Sequence, residues 1–116
     1  EEHDKVLAAT SHLPHILAFA LMNHLRACSE NNSSNLLRFA GSGFRDFTRI
    51  ASSSPEMWRD ICIANRNALL SQMDAYQNEL KVLQEILERS DEETLEKIFS
   101  QARGVRENWL WEINNN

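Results

Sequence analysis

The chain reads as an all-α protein, and three observations predict this. Apolar residues recur at spacings of three and four throughout, while period-two alternation is absent. The 116 residues hold only three glycines and two prolines, too few for a sandwich or barrel built from tight turns. Leu, Ile and Phe are plentiful, so the composition favours collapse over disorder. A chain of this length is expected to form one domain, 1–116, around one hydrophobic core.

A first helix is predicted from about Asp4 to Cys28. Val6, Ala9, Leu13, Leu17, Ala20, His24 and Ala27 form its stripe, and Ile16 and Leu21 widen it. Pro14 lies inside this pattern. It lacks an N–H and presses on the carbonyl of Thr10, which predicts a kink or restart near Ser11. "SENNSSN" (29–35) is a polar break. "LLRFA" is a short apolar piece ended by "GSG" (41–43). "FRDFTRIA" then reads as a short helix, with Phe44, Phe47 and Ile50 on one side and Arg45 and Arg49 on the other.

"SSSPEMW" is a helix start: Ser54 caps, Pro55 fits the first helical position, and Glu56 suits the positive end. No Gly or Pro follows until Gly104, so one helix is expected from Pro55 to Arg89. At about 1.5 Å per residue it would be roughly 50 Å long. Leu69, Met73, Tyr76, Leu80, Leu83 and Leu87 repeat at heptad spacing along it. "RSDEETL" restarts the chain, with Ser90 as cap and Glu93 completing a capping box. Leu95, Ile98, Phe99, Ala102, Trp109 and Leu110 stripe the last helix, and "NNN" frays. So long an apolar seam exceeds what one small chain can cover. The expected solution is an intertwined helical homodimer.

Formal charge is −5, which disfavours nucleic acid as a partner. The charge is uneven. Residues 36–66 carry five arginines (Arg38, Arg45, Arg49, Arg59, Arg66) against three acids, and 67–116 carry ten acids against five bases. Arginine forks match carboxylates and phosphates, so the basic middle suits a small anionic ligand. Internal ion pairing explains the same residues, and both readings stay open. Cys28 and Cys62 form no CxxC pattern, so zinc and redox chemistry are not expected, and a reduced, cytoplasmic protein is the default. No membrane span or signal peptide is read from the sequence. The opening "EEHDKV" lacks a starting Met and is expected of a segment cut from a longer protein.

Two stretches carry candidate chemistry. "SHLPH" sets His12 and His15 three apart beside Pro14, and "HD" lies at 3–4. No HExxH pattern and no nameable third ligand accompany them, so a metal site is not expected. The imidazoles and the backbone freed by Pro14 suit an oxygen-rich anion, and a kinked helix with surface histidines is the plainer alternative. His24 is read as a core or interface histidine. "GSGFRDFTR" lacks GxGxxG spacing and a preceding strand, which excludes a dinucleotide loop. Glycines before a helix expose N–H groups at its positive end, and Arg45 and Arg49 add charge. An Arg49–Asp46 surface pair is the competing reading. Trp58 either stacks on a ring or simply packs. Ser11 and His15 are four apart without a third orienting group, so no catalytic set is read.

"HDKVLAATSHLPHILAFAL", then "GFRDFTRIASSSPEMWRDI", then a long heptad helix resembles the C-terminal domain of the prephenate dehydrogenase family, which includes cyclohexadienyl and arogenate dehydrogenases. The resemblance spans His3 to about Trp109. It implies the helical, intertwined dimerisation half of a Rossmann-type dehydrogenase, with the domain that binds NAD or NADP absent from this chain. The parent would be an NAD(P)-dependent oxidoreductase of tyrosine biosynthesis, turning prephenate into 4-hydroxyphenylpyruvate by oxidative decarboxylation, with tyrosine a possible inhibitor. By position, Arg49 matches the arginine that binds a substrate carboxylate, and His12 and His15 match pocket histidines. Gly43 and Trp58 match positions near the pocket, including across the dimer. Arg45 matches a variable position. The resemblance implies no catalytic, cofactor-binding or metal-binding residue in this chain, so the isolated chain is expected to be inactive. Two other classes remain: a small helical enzyme of chorismate mutase type, disfavoured because Lys5 and Arg26 sit at the ends of the first helix, and a ligand-free helical interaction module.

Overall fold

The computed structural model describes residues 1–31 and 36–116. Among these residues every regular element is helical. In order they are α1 (Glu2–Leu7), a π-helical segment (Ala8–His12), α2 (Leu13–Asn31), a 3₁₀ turn (Leu36–Phe39), α3 (Ser42–Thr48), a second 3₁₀ turn (Arg49–Ser52), α4 (Pro55–Ala64), α5 (Arg66–Glu88) and α6 (Glu92–Asn114). The chain divides into two compact units, Glu1–Asp74 and Ala75–Asn116. Of the expected break at 29–35, residues 32–35 lie outside the described residues, and Ser29 to Asn31 continue α2.

The kink expected from Pro14 takes a specific form. The turn before it widens into the π segment, giving the proline ring room beside the preceding carbonyls. The His15 ring supplies a donor there: its Nδ1–H donates to the Ser11 carbonyl at 2.8 Å. The helix continues without a sharp stop. Glu2–Glu30 is long and apolar enough to span a bilayer by length and composition, contrary to the reading that no stretch qualifies, and the core helix of a soluble protein passes the same test. Its apolar length comes from a stripe that carries both buried and open positions. Ala8, Leu13 and Ala18 are buried, while Val6, Ala20 and Ala27 are exposed.

Ser54 caps α4 as expected, accepting from the Met57 N–H at 3.2 Å, with Pro55 in the first turn. The single helix expected over Pro55–Arg89 is corrected: it breaks at Asn65 (φ −114°, ψ 34°), which closes α4 before α5 begins. Neither Gly nor Pro is needed, because the Asn65 side chain is held by partners far away in sequence. The heptad seam lies on α5. Leu69 is buried, Met73, Tyr76 and Leu83 are half-buried, and Leu80 and Leu87 are exposed.

The second cap is also corrected. Asp91, one residue beyond Ser90, caps α6 by accepting from the Thr94 N–H (3.1 Å) and hydroxyl (2.7 Å). These hydrogen bonds, aided by Arg89, hold the Asp91 carboxyl below the usual carboxylate range. Ser90 instead closes α5. Its φ is +53°, its N–H donates to Leu87, and the Asp91 N–H donates to Ile86. That is the Schellman pattern, in which the left-handed residue turns the chain out of the helix.

In the first unit the core consists of Ala8, Leu13, Ala18, Trp58 and Leu69, with His12 and Thr48 buried among them. Phe47, expected on one side with Phe44 and Ile50, is 48% exposed, and Thr48 is the buried residue of α3, its hydroxyl donating to the Phe44 carbonyl. His24, read as a core or interface residue, is exposed in the single chain and lies 3.7 Å from the Cys28 thiol. In the second unit Ile86 is buried, whereas every residue from Gln101 onward is exposed.

Candidate functional site

Trp58 organises the first unit. Ser54 and Pro55 start α4, which carries Trp58 one turn later to a position where only 8% of it is exposed. The His15 ring stacks on the indole, with centroids 3.7 Å apart and planes 16° apart. The His12 ring meets the same indole edge-on at 5.8 Å. Trp58 therefore packs and stacks at once, and the histidines that flank Pro14 share one aromatic partner.

The hydrogen bonds define which nitrogen of each ring carries a proton. A backbone carbonyl can only accept, so His15 bears its proton on Nδ1, bound to Ser11, and keeps Nε2 as the second nitrogen. His12 is the reverse. The Asn65 side-chain amide donates to the Asp4 carbonyl at 2.8 Å, which fixes its NH₂ end on that side. The same NH₂ lies 3.2 Å from His12 Nδ1. Nδ1 is thus the acceptor, and the proton of neutral His12 is on Nε2. Burial pushes the nearby Cys62 thiol up, away from thiolate reactivity.

Trp58 lines one of two clefts that share Phe19 and Asn23. One, about 270 Å³, is lined by Ile16, Phe19, Asn23, Pro55, Trp58 and Cys62, with Arg59 at its edge. The other, about 630 Å³, is lined by Phe19, Asn23, Arg45, Thr48, Arg49 and Ser52 among others. Phe19 and Asn23 face both, so they link the indole side to the arginine side. The Arg45 and Arg49 side chains form no ion pair or hydrogen bond among the described residues, and the Arg49–Asp46 side-chain pair is not made. Gly43 lies apart in α3, exposed and with open space where a Cβ would point. Among the described residues no three His, Cys, Asp or Glu side chains gather for a metal.

The structure thus brings His12, His15 and Trp58 together, sets Arg49 in the adjoining cleft, and leaves Gly43 outside both. Sequence reasoning missed Asn65, Phe19 and Asn23. Asn65 carried one weak signal, since Asn is favoured where helices end. Phe19 and Asn23 carried none, because their roles arise from tertiary packing.

Comparison with known proteins identifies the family. The family model described as the dimerization domain of prephenate dehydrogenase matches residues 1–101. The chain belongs to this family. It is 44% identical over 107 residues to a prephenate dehydrogenase of Bacillus subtilis, covering 92% of this chain and 29% of that protein. It is 36% identical to a cyclohexadienyl dehydrogenase of Zymomonas mobilis, covering 91% of this chain and 36% of that protein. Among solved structures it resembles the prephenate dehydrogenase of Aquifex aeolicus in complex with hydroxyphenyl propionate and NAD+. The TM-score is 0.87 at 38% identity, covering 93% of this chain and 37% of that one. Synechocystis arogenate dehydrogenase matches with a TM-score of 0.82 at 28% identity, covering 93% and 39%. The chain spans about a third of the length of these relatives. The all-α dimerisation-domain fold read from the sequence is therefore the fold observed.

Proposed function

We propose that this chain is the dimerisation and substrate-closing part of a cytoplasmic, NAD(P)-dependent prephenate dehydrogenase, and that it works as a homodimer. One observation carries the substrate side of this reading. His12 and His15 pack on Trp58, Trp58 lines one cleft, and that cleft shares Phe19 and Asn23 with the one lined by Arg49, whose side chain has no ion pair or hydrogen bond among the described residues. An arginine side chain left unpaired in a cleft suits a carboxylate ligand. Prephenate is a dianion with an unsaturated ring. Arg49 would bind one carboxylate through its fork, His12 would donate from Nε2, and Trp58 would hold the apolar part away from water. Gly43, outside both clefts, is assigned to the partner subunit's pocket.

The residues of this chain do not fit a nicotinamide cofactor. "GSG" opens a seven-residue helix, and no strand precedes it among the described residues. We assign the cofactor and the hydride step to the portion of the relatives that this chain does not span. The residues here bind and orient substrate and exclude water. The homodimer reading rests on the apolar residues that one chain leaves open, among them Leu80, Leu87, Phe99 and Trp109.

In the full-length enzyme, Arg49→Ala is expected to raise the KM for prephenate about 30- to 150-fold, the loss of a charge-assisted contact of about 2–3 kcal/mol. The KM for the cofactor should stay within twofold. An unchanged prephenate KM would remove Arg49 from the site. Parallel assays with prephenate and arogenate, NAD+ and NADP+, and added tyrosine decide substrate, cofactor and inhibition. Turnover of chorismate by the 116-residue chain would favour the mutase reading instead.

A further inference from the structure

We infer that Asn65 is a positioning residue for the substrate pocket. By donating to His12 Nδ1, it holds that ring as the tautomer with its proton on Nε2. The inference rests on the proposed role of His12 in binding an anion.

The geometry behind it is specific. Asn65 lies 53 residues from His12 and 61 from Asp4 in sequence, yet one NH₂ group reaches both. The Asp4 carbonyl can only accept, so the amide cannot be turned to offer its oxygen to the ring without losing the 2.8 Å bond. The side chain reaches these partners from the residue at which α4 ends. His12 is 9% exposed and held edge-on to Trp58, so its ring has little freedom to choose another partner.

The consequence concerns the pair of histidines. His15 spends its Nδ1 proton on Ser11, so its neutral form offers an acceptor at Nε2. His12, fixed by Asn65, offers a donor at Nε2. Among the described residues neither Nε2 has a hydrogen-bond partner. The neutral pair thus offers one donor and one acceptor from two identical side chains, a complement to a ligand carrying both a carboxylate and a hydroxyl. Without Asn65 the His12 ring would be free to place its proton on Nδ1 and meet the carboxylate with a lone pair.

The test uses the full-length enzyme labelled with ¹⁵N in histidine, with His12→Gln identifying the His12 signals. Long-range ¹H–¹⁵N spectra at neutral-histidine pH are expected to show Nε2 protonated and Nδ1 unprotonated. In Asn65→Asp the carboxylate accepts, so the proton should move to Nδ1, and in Asn65→Ala the preference should be lost. Both variants should raise the KM for prephenate about tenfold, as for one hydrogen bond to a charged group, with the cofactor KM within twofold. A His12 already protonated on Nδ1, or a tautomer unmoved in both variants, overturns the inference. So does a tautomer shift with no change in substrate KM. If instead His12→Gln and Arg49→Ala leave the prephenate KM unchanged, the proposed substrate site fails, while the tautomer reading stands on its own spectra.

Discussion

The cluster around Trp58 and the helix α6 use their apolar residues in opposite ways. At Trp58 one chain suffices. The indole is buried, both histidine rings rest on it, and each ring is oriented by a hydrogen bond within the first unit. On α6 one chain does not suffice. Phe99, Val105, Trp109, Trp111 and Ile113 are each more than half exposed. A large aromatic left in water forgoes the transfer free energy that burial supplies, about 2–3 kcal/mol for a side chain of this size. Among the described residues no large side chain is fully buried, so the single chain has only a thin core. The difference separates what is built locally from what is built for a partner. On the proposed reading, the histidine–tryptophan cluster is set within one chain, and a second copy completes the stability.

That contrast is open to attack from the side of the cluster. Trp58→Ala removes its central ring and leaves a cavity beneath two imidazoles. It is expected to destabilise the protein by about 3–5 kcal/mol in urea unfolding. A loss below about 1 kcal/mol would mean that the cluster is not closed within the chain. A smaller effect sharpens the other side. Ser90 adopts a left-handed φ of +53° where α5 turns toward α6. Ser90→Gly relieves that strain, offset in part by the greater freedom of glycine in the unfolded chain. The expected gain is ~0.5–1 kcal/mol by the same measurement, and a loss would show that the Ser90 side chain contributes more than the turn requires.

How much was legible follows the reach of each interaction. The Ser54–Pro55 start is a local device, and the structure keeps it. The consequence of Pro14 was legible as a disturbance near Ser11, but the π turn that absorbs it depends on several carbonyls together. The break at Asn65 was not legible, because partners 53 and 61 residues away fix it. Ser90 and Asp91 are both good caps, and the left-handed turn at Ser90 decides between them by moving the start of α6 one residue on. Of the candidate site, the residue types and their order were in the sequence. The stacking of His15 and the edge-on packing of His12 on Trp58, and the link to Arg49 through Phe19 and Asn23, required the fold.

On the proposed reading, a second copy completes the open apolar faces of this chain. Light scattering after gel filtration of the 116-residue chain at micromolar concentration tests it most directly. Twice the mass of one chain is the predicted result, and a clean monomer would contradict it.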